Sequence, residues 1–194
     1  AVLFGDIVGF TRRCEKLSPE AAVEDLNTWF SHVDPIIHAH GGIIDKRIGD
    51  AVMVLFVAED GVSDQELWNR AIRCGLAMQS AMAQCRKALA HRAADDMELR
   101  VGIAGGSLVQ GTMGSPERYE YTVIGDVVNV AARLESHAIP NRVLVPSQML
   151  KGKHPGRVTS RRTIRLKGRH TALDVSEIAQ TKEEFAASSR ANSA

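Results

Sequence analysis

Cysteine is scarce, and none of it is arranged for a metal or a disulfide framework. Cys14, Cys74 and Cys85 are odd in number and lack zinc spacing. They read as free thiols in a reducing compartment, so the domain is expected in the cytoplasm, a location compatible with a membrane anchor elsewhere in a parent protein. No apolar run approaches the roughly 20 residues that cross a bilayer. No signal-peptide pattern opens the chain. Neither sign of charge dominates: 24 Lys and Arg face 23 Asp and Glu, a net charge of +1. No nucleic-acid partner and no membrane contact are therefore expected of this domain. The seven histidines show no ligand spacing, and no repeat of solenoid length is visible.

What is present suits one globular domain. The chain has 194 residues, 44% apolar and 24% charged, enough to enclose an ample core. Ala1 lies directly inside a strand-like run with no Met before it. This suggests a domain of a longer protein, whose regulatory domains lie elsewhere. The domain is expected to span residues 1–180. Residues 181–194 turn polar and Ala/Ser-rich, the composition of a disordered tail.

Residues 1–8 alternate as a strand, with Val2, Phe4 and Asp6 on one face and Leu3, Gly5 and Ile7 on the other. Gly9-Phe10-Thr11 reads as a turn. Ser18 and Pro19 signal a helix start, followed by Val23, Leu26, Phe30 and Val33 at helical spacing. Pro35 predicts a kink or a new start, and Gly41-Gly42 a stop. Residues 43–57 read as a hairpin turning at Gly49-Asp50, its second arm central in a sheet. Gln65 to about Ala94 reads as one long helix. Strands are expected at Leu99–Ala104, Ser107–Met113, Tyr119–Ile124, Arg142–Val145, Thr163–Lys167 and Leu173–Ile178. Asp126 is expected to cap a helix reaching His137. Hairpins break the βαβ rhythm, which predicts an α+β fold with helices on one face of the sheet.

Asp6 and Asp50 carry the chemistry. Each ends an apolar strand, where an uncompensated carboxylate costs several kcal/mol. Two that converge repel, and a divalent cation relieves the repulsion. Mg²⁺ takes such hard oxygen ligands, and a metal pair can clamp the two oxygens of a phosphoryl displacement. Taken singly, either Asp could equally cap a turn. The turn at Gly9, Phe10 and Thr11 offers backbone N–H groups to a polyphosphate. Lys46 shares a strand face with Ile44 and Ile48, as a snorkelling lysine or as a donor to a ligand. Asn129 and Arg133, four apart, share one helix face. Such a stripe is commonly solvated surface, but an Arg aimed at phosphate stabilises transition-state charge. Arg165 to His170 is a short basic run, either a solvated strand end or a phosphate grip.

From Val2 to about Ile178 the chain resembles the catalytic domain of class III nucleotidyl cyclases. The resemblance rests on Phe4-Gly5-Asp6-Ile7-Val8-Gly9-Phe10-Thr11, Gly41-Gly42, Asp45-Lys46-Arg47-Ile48-Gly49-Asp50, Val101-Gly102-Ile103, Gly111-Thr112-Met113-Gly114-Ser115, Tyr121 to Glu135, and Leu166-Lys167-Gly168, in that order. It implies a ferredoxin-like, palm-type sheet and a homodimer with composite active sites. In each site Asp6, the backbone carbonyl of Ile7 and Asp50 of one chain would hold two Mg²⁺ or Mn²⁺ ions. Lys46, Thr122, Asn129, Arg133 and Lys167 would come from the other chain. The resemblance assigns Lys46 to N1 of adenine, Thr122 to the exocyclic amine, Asn129 to the ribose, Arg133 to the α-phosphoryl transition state and Lys167 to the terminal phosphates.

These assignments imply an adenylate cyclase, converting ATP to 3′,5′-cyclic AMP and pyrophosphate. Family guanylate cyclases typically carry an acidic residue where Lys46 stands. Thr122 resembles the subclass often responsive to bicarbonate, and its hydroxyl can donate or accept. A guanylate cyclase and a non-catalytic nucleotide-binding or dimerisation module are the alternatives. A diguanylate cyclase is disfavoured by the missing Gly-Gly-Asp/Glu signature. Asn141 replaces a usual turn glycine and should tolerate left-handed geometry. Ser176 stands where an aromatic residue is frequent.

Overall fold

The structure, a computed structural model, describes residues 1–92, 94, 96–115, 117–168 and 171–181. The expected tail lies outside these residues apart from Thr181, as do Arg169 and His170 of the basic run.

Alternation in the first strand, β1 (Val2–Val8), feeds two separate cores. Leu3 and Ile7 join one cluster, and Val2 and Phe4 join the other. A strand apolar on both faces belongs inside a sheet. The further strands are β2 (Ile43–Ile48), β3 (Ala51–Leu55), β4 (Glu98–Ala104), β5 (Val109–Ser115), β6 (Arg118–Ile124), β7 (Arg142–Pro146), β8 (Arg157–Ile164) and β9 (Leu173–Ala179). Among the described residues, seven of these nine strands form one sheet in the order β2-β3-β1-β4-β7-β9-β8. β1 pairs antiparallel with both β3 and β4, setting Gly5 opposite Val52 and Asp6 opposite Arg100. β4 and β7 run parallel. β5 and β6 form a separate antiparallel hairpin. The α+β fold is as the sequence implies, and the second arm of the first hairpin is buried on both faces from Val52 to Leu55.

The helices, however, cover both faces. α1 (Phe10–Cys14) is short, and α2 (Pro19–Ala39) and α3 (Asp64–Ala88) follow. Trp29, Val33 and Ile37 of α2 and Ile72, Met78 and Met82 of α3 pack with Leu3 and Ile7. On the opposite face α4 (Asp126–His137) sets Val127, Val130, Ala131 and Leu134 against Phe4, Met53 and Leu144. The expectation of one covered face thus fails, because the strands are apolar on both sides and water must be kept from each. Gly102 lets α4 lie close on β4. A Cβ there would fall 2.0 Å from the Glu135 nitrogen and 2.6 Å from the Ala131 oxygen.

Several local expectations shift. Gly9-Phe10-Thr11 is the entrance to α1 rather than a free turn. Gly9, at φ 75°, reverses the chain in a conformation open to glycine. Ser18 does cap α2, accepting from the Ala21 N–H at 3.2 Å. Pro35 does not start a new helix; it lies within α2, one turn from its end. Burial of Ile36 and Ile37 outweighs the one lost backbone bond. Val23 is 56% exposed and stands outside the apolar stripe. α3 is shorter than expected: Ser63 caps it, accepting from the Glu66 N–H at 3.2 Å, and a 3₁₀ turn, Ala90–Arg92, follows its end. Gly125, not Asp126, is the N-cap of α4. The strand expected at Thr163–Lys167 comes earlier and is longer, leaving Leu166 and Lys167 in the turn beyond it. Asn141 adopts φ 60°, the left-handed geometry expected of it. Among the described residues no helix is long and apolar enough to cross a membrane.

Candidate active site

The edge hairpin builds one half of the site. Asp50 sits in the tight turn between β2 and β3, and Asp6 lies near the end of neighbouring β1. Asp50 Oδ2 accepts the Ile7 N–H at 3.2 Å, which folds the turn back onto β1 and brings the two carboxylates together. Burial, followed by the Asp6 charge and a hydrogen bond with it, pushes the Asp50 carboxyl up to about 7. Arg100, across the β1–β4 ladder, donates to Asp6 Oδ2 at 2.8 Å. Its Nε lies 3.0 Å from Glu135 Oε1 on α4. Burial raises the Glu135 carboxyl, while Arg100 opposes that rise.

The fit to a divalent cation follows from this charge balance. Two half-buried carboxylates face one another, and Asp50 resists ionisation because it is buried and stands beside the Asp6 charge. Among the described residues no three His, Cys, Asp or Glu side chains gather as a metal cage. Two protein carboxylates completed by water and phosphate are the set Mg²⁺ commonly accepts.

Beside Asp6 the chain enters α1, so Gly9, Phe10 and Thr11 stand next to the carboxylate pair. Phe10 is buried and anchors the turn, while Gly9 and Thr11 are exposed. Behind the turn, Asp25 is wholly buried. Its Oδ2 accepts from Arg13 Nε and Nη2 at 2.9 and 2.7 Å, and its Oδ1 accepts from Arg92 Nη1 at 3.0 Å. This network ties α1 to α2 and to the 3₁₀ turn, and nothing in residue spacing announces it.

A second group forms where the β5–β6 hairpin meets β2. The β2–β3 register slips between Ile44 and Lys46: Ile44 opposes Val54 and Lys46 opposes Met53. Those partners belong to different cores, Val54 to the α2–α3 side and Met53 to the α4 side. Lys46 therefore does not share a face with Ile44, contrary to strict alternation. The β-bulge at Asp45 turns it toward the hairpin. There Lys46 Nζ donates to Glu120, and Thr122 Oγ1 donates to Asp45 Oδ2 at 3.0 Å. Glu120 holds the Lys46 ammonium above its ordinary range, chiefly by that hydrogen bond.

A third group lies on α4. Asn129 is exposed and Arg133 half-buried on a shared face. Leu166, 2% exposed, pins the turn that carries Lys167. A Cβ at Gly168 would lie 3.6 Å from Arg133 Nη2, so the Lys167–Gly168 turn abuts the Arg133 guanidinium. Glu135, two residues after Arg133, points at Arg100 and the sheet. Two positions on a helix turn roughly 200°, so Arg133 points away from its own chain's carboxylate pair.

Residues 1–177 match the adenylate and guanylate cyclase catalytic domain family. The chain belongs to that family. This cyclase domain is 34% identical over 185 residues to Adenylate cyclase 1 of Rhizobium meliloti (strain 1021), covering 91% of the chain and 27% of that protein. It superposes on the crystal structure of the adenylyl cyclase CyaB from P. aeruginosa with a TM-score of 0.85 and 30% identity, over 94% of each chain. The guanylyl cyclase Cya2 is equally near, with a TM-score of 0.83 and 32% identity over 94% of this chain and 92% of that one. The cyclase domain spans about a quarter of the length of the curated relatives it matches. Asp45, Glu120, Arg100 and Glu135 were missed as site residues in the sequence. The bulge and the Asp6–Arg100 register that bring them in are long-range pairings without a local signal.

Proposed function

We propose that the domain is an adenylate cyclase, forming 3′,5′-cyclic AMP and pyrophosphate from ATP at composite sites of a homodimer. The observation that carries this reading is the bulge at Asp45, which sets the Lys46 ammonium beside the Thr122 hydroxyl. An ammonium donates to N1 of adenine, an acceptor, whereas N1–H of guanine meets it as a second donor. A mismatched buried polar pair discriminates strongly. The comparisons themselves do not choose, since an adenylyl and a guanylyl cyclase match about equally well.

Asp6, Asp50 and the Ile7 carbonyl would hold the two Mg²⁺ or Mn²⁺ ions, which when bound polarise the phosphates and lower the pKa of the attacking 3′-hydroxyl. The N–H groups at Gly9, Phe10 and Thr11 would receive the polyphosphate, with the Asp25 network keeping α1 in place. Asn129 would orient the ribose. Arg133 would meet the charge that builds on the α-phosphoryl oxygens, and Lys167, beside it, the departing pyrophosphate.

Two features support a shared site. Arg133 faces away from Asp6 and Asp50 of its own chain, so a second copy is needed to bring them together. The β5–β6 hairpin also exposes Val109, Tyr119, Tyr121 and Ile124 at 60–66%, apolar surface that a partner would cover. Regulatory domains of a longer parent protein would set the dimer's geometry, with the domain itself in the cytoplasm.

The test is product identification from ATP and from GTP, each with Mg²⁺ and with Mn²⁺. Cyclic AMP is the expected product. Cyclic GMP as the main product would favour the guanylate reading. Nucleotide binding without turnover, in the full-length parent as well, would leave a non-catalytic module.

A further inference from the structure

Thr122 is ambiguous by composition, because a hydroxyl can offer its hydrogen or its lone pairs. Its surroundings remove the ambiguity. Thr122 Oγ1 lies 3.0 Å from Asp45 Oδ2, and the Asp45 side chain is only 5% exposed. A carboxylate has no hydrogen to give, so the shared hydrogen is the one on Thr122. The same Oδ2 lies 3.7 Å from Lys46 Nζ. One carboxylate thus braces both side chains that project from this corner.

We infer that Asp45 is a specificity-positioning residue: it locks the Thr122 hydroxyl as an acceptor beside the Lys46 donor, selecting 6-amino over 6-oxo purine nucleotides. The inference rests on the proposed reading that Lys46 and Thr122 face the base. With its hydrogen spent on Asp45, Thr122 presents only lone pairs. The 6-amino group of adenine donates to them while N1 accepts from Lys46. A 6-oxo purine reverses both polarities: its carbonyl faces lone pairs and its N1–H faces an ammonium. Without Asp45 the hydroxyl would be free to rotate and donate to a carbonyl, and half of the discrimination would be lost.

The test measures binding directly, by calorimetry with Mn²⁺, using unreactive α,β-methylene-ATP and α,β-methylene-GTP. Wild type should prefer the adenine analogue. Asp45→Asn should cut that preference about tenfold, since an amide can donate and so lets the hydroxyl reverse. Thr122→Val should cut it similarly, and the double variant no further, because the two act as one unit. Thr122→Ser should keep the preference. The analogue of purine riboside, with hydrogen at position 6, adds a readout that loosened structure would not imitate. It should bind wild type about tenfold more weakly than the adenine analogue, and Asp45→Asn less than threefold more weakly. Should Asp45→Asn unfold, Thr122→Val and the purine riboside comparison still decide. An unchanged adenine preference in Asp45→Asn, additive single variants, or indifference of wild type to the 6-amino group would each overturn the inference. Wild type binding neither nucleotide would overturn it together with the base-facing reading. Selective binding without turnover would sink only the proposed catalysis and leave this inference intact.

Discussion

Arg100 bridges Asp6 and Glu135, reaching one carboxylate at 2.8 Å and the other at 3.0 Å. It joins the carboxylate pair at the sheet end to α4, the helix that also carries Asn129 and Arg133. Its guanidinium pairs with Asp6, while burial and the Asp6 charge raise the Asp50 carboxyl.

Arg100→Met should therefore expose the repulsion among Asp6, Asp50 and Glu135. Stripping the partner from part-buried carboxylates costs about 1–3 kcal/mol. The metal-free variant should melt several degrees below wild type, and Mn²⁺ should raise its Tm by more than it raises that of wild type. Equal metal-induced shifts would show that Arg100 bears no part of the charge balance.

Asp50 predicts a pH dependence with a definite sign. Its carboxyl titrates near 3.9 in an unfolded chain and is pushed up to about 7 in the fold. Between those values the folded state binds more protons, so stability falls as pH rises through the window. The penalty is fully present above about pH 7. Asp50→Asn removes it. In chelator, the variant should gain on wild type in unfolding free energy, measured by urea titration, between pH 4 and pH 8, by about 1–2 kcal/mol after solvent screening. A constant difference across that range would contradict the assignment.

Asp25 is a structural hub whose loss should propagate to the nucleotide site. Removing one member of a buried charge network costs about 3–5 kcal/mol. Asp25→Ala should lower the urea midpoint accordingly and release α1, raising KM for nucleotide more than it lowers kcat. A stable variant with unchanged KM would show that α1 is held by other contacts.

The orientation of Arg133 predicts complementation. Asp50→Ala and Arg133→Ala should each abolish turnover in a homodimer. Mixed together, they should recover part of it, because a heterodimer rebuilds one intact site of two. No recovery in a mixture with demonstrated heterodimers would count against sites shared between chains.

Much of the architecture was readable residue by residue. Period-two alternation marked β1, helical spacing marked α2 and α4, and Ser18 marked a helix start, since each reflects the local geometry of one element. Misreadings arose where a distant partner decides. Pro35 predicts a kink or a new start, yet with its neighbours buried α2 continues through it. Strict alternation puts Lys46 on the face of Ile44, but pairing with β3 inserts a bulge between them. The element order predicts α4 on the same face as the other helices, whereas packing puts it on the opposite one.

The candidate site divides in the same way. Asp6, Asp50, Lys46, Asn129, Arg133 and the run holding Lys167 stand out by residue type and spacing, and Thr122 through the family resemblance, because chemical type and order along the chain are properties of the sequence. Which of them meet, and how their polar atoms are directed, depended on the folded arrangement. Asp45 reaches Thr122 across 77 residues, and Arg100 reaches Asp6 across 94. Contacts of that separation form only when strands register against one another. The chain alone therefore determined the inventory of reactive groups, while strand pairing and helix packing decided their neighbours, their charge balance and the direction of each hydrogen bond.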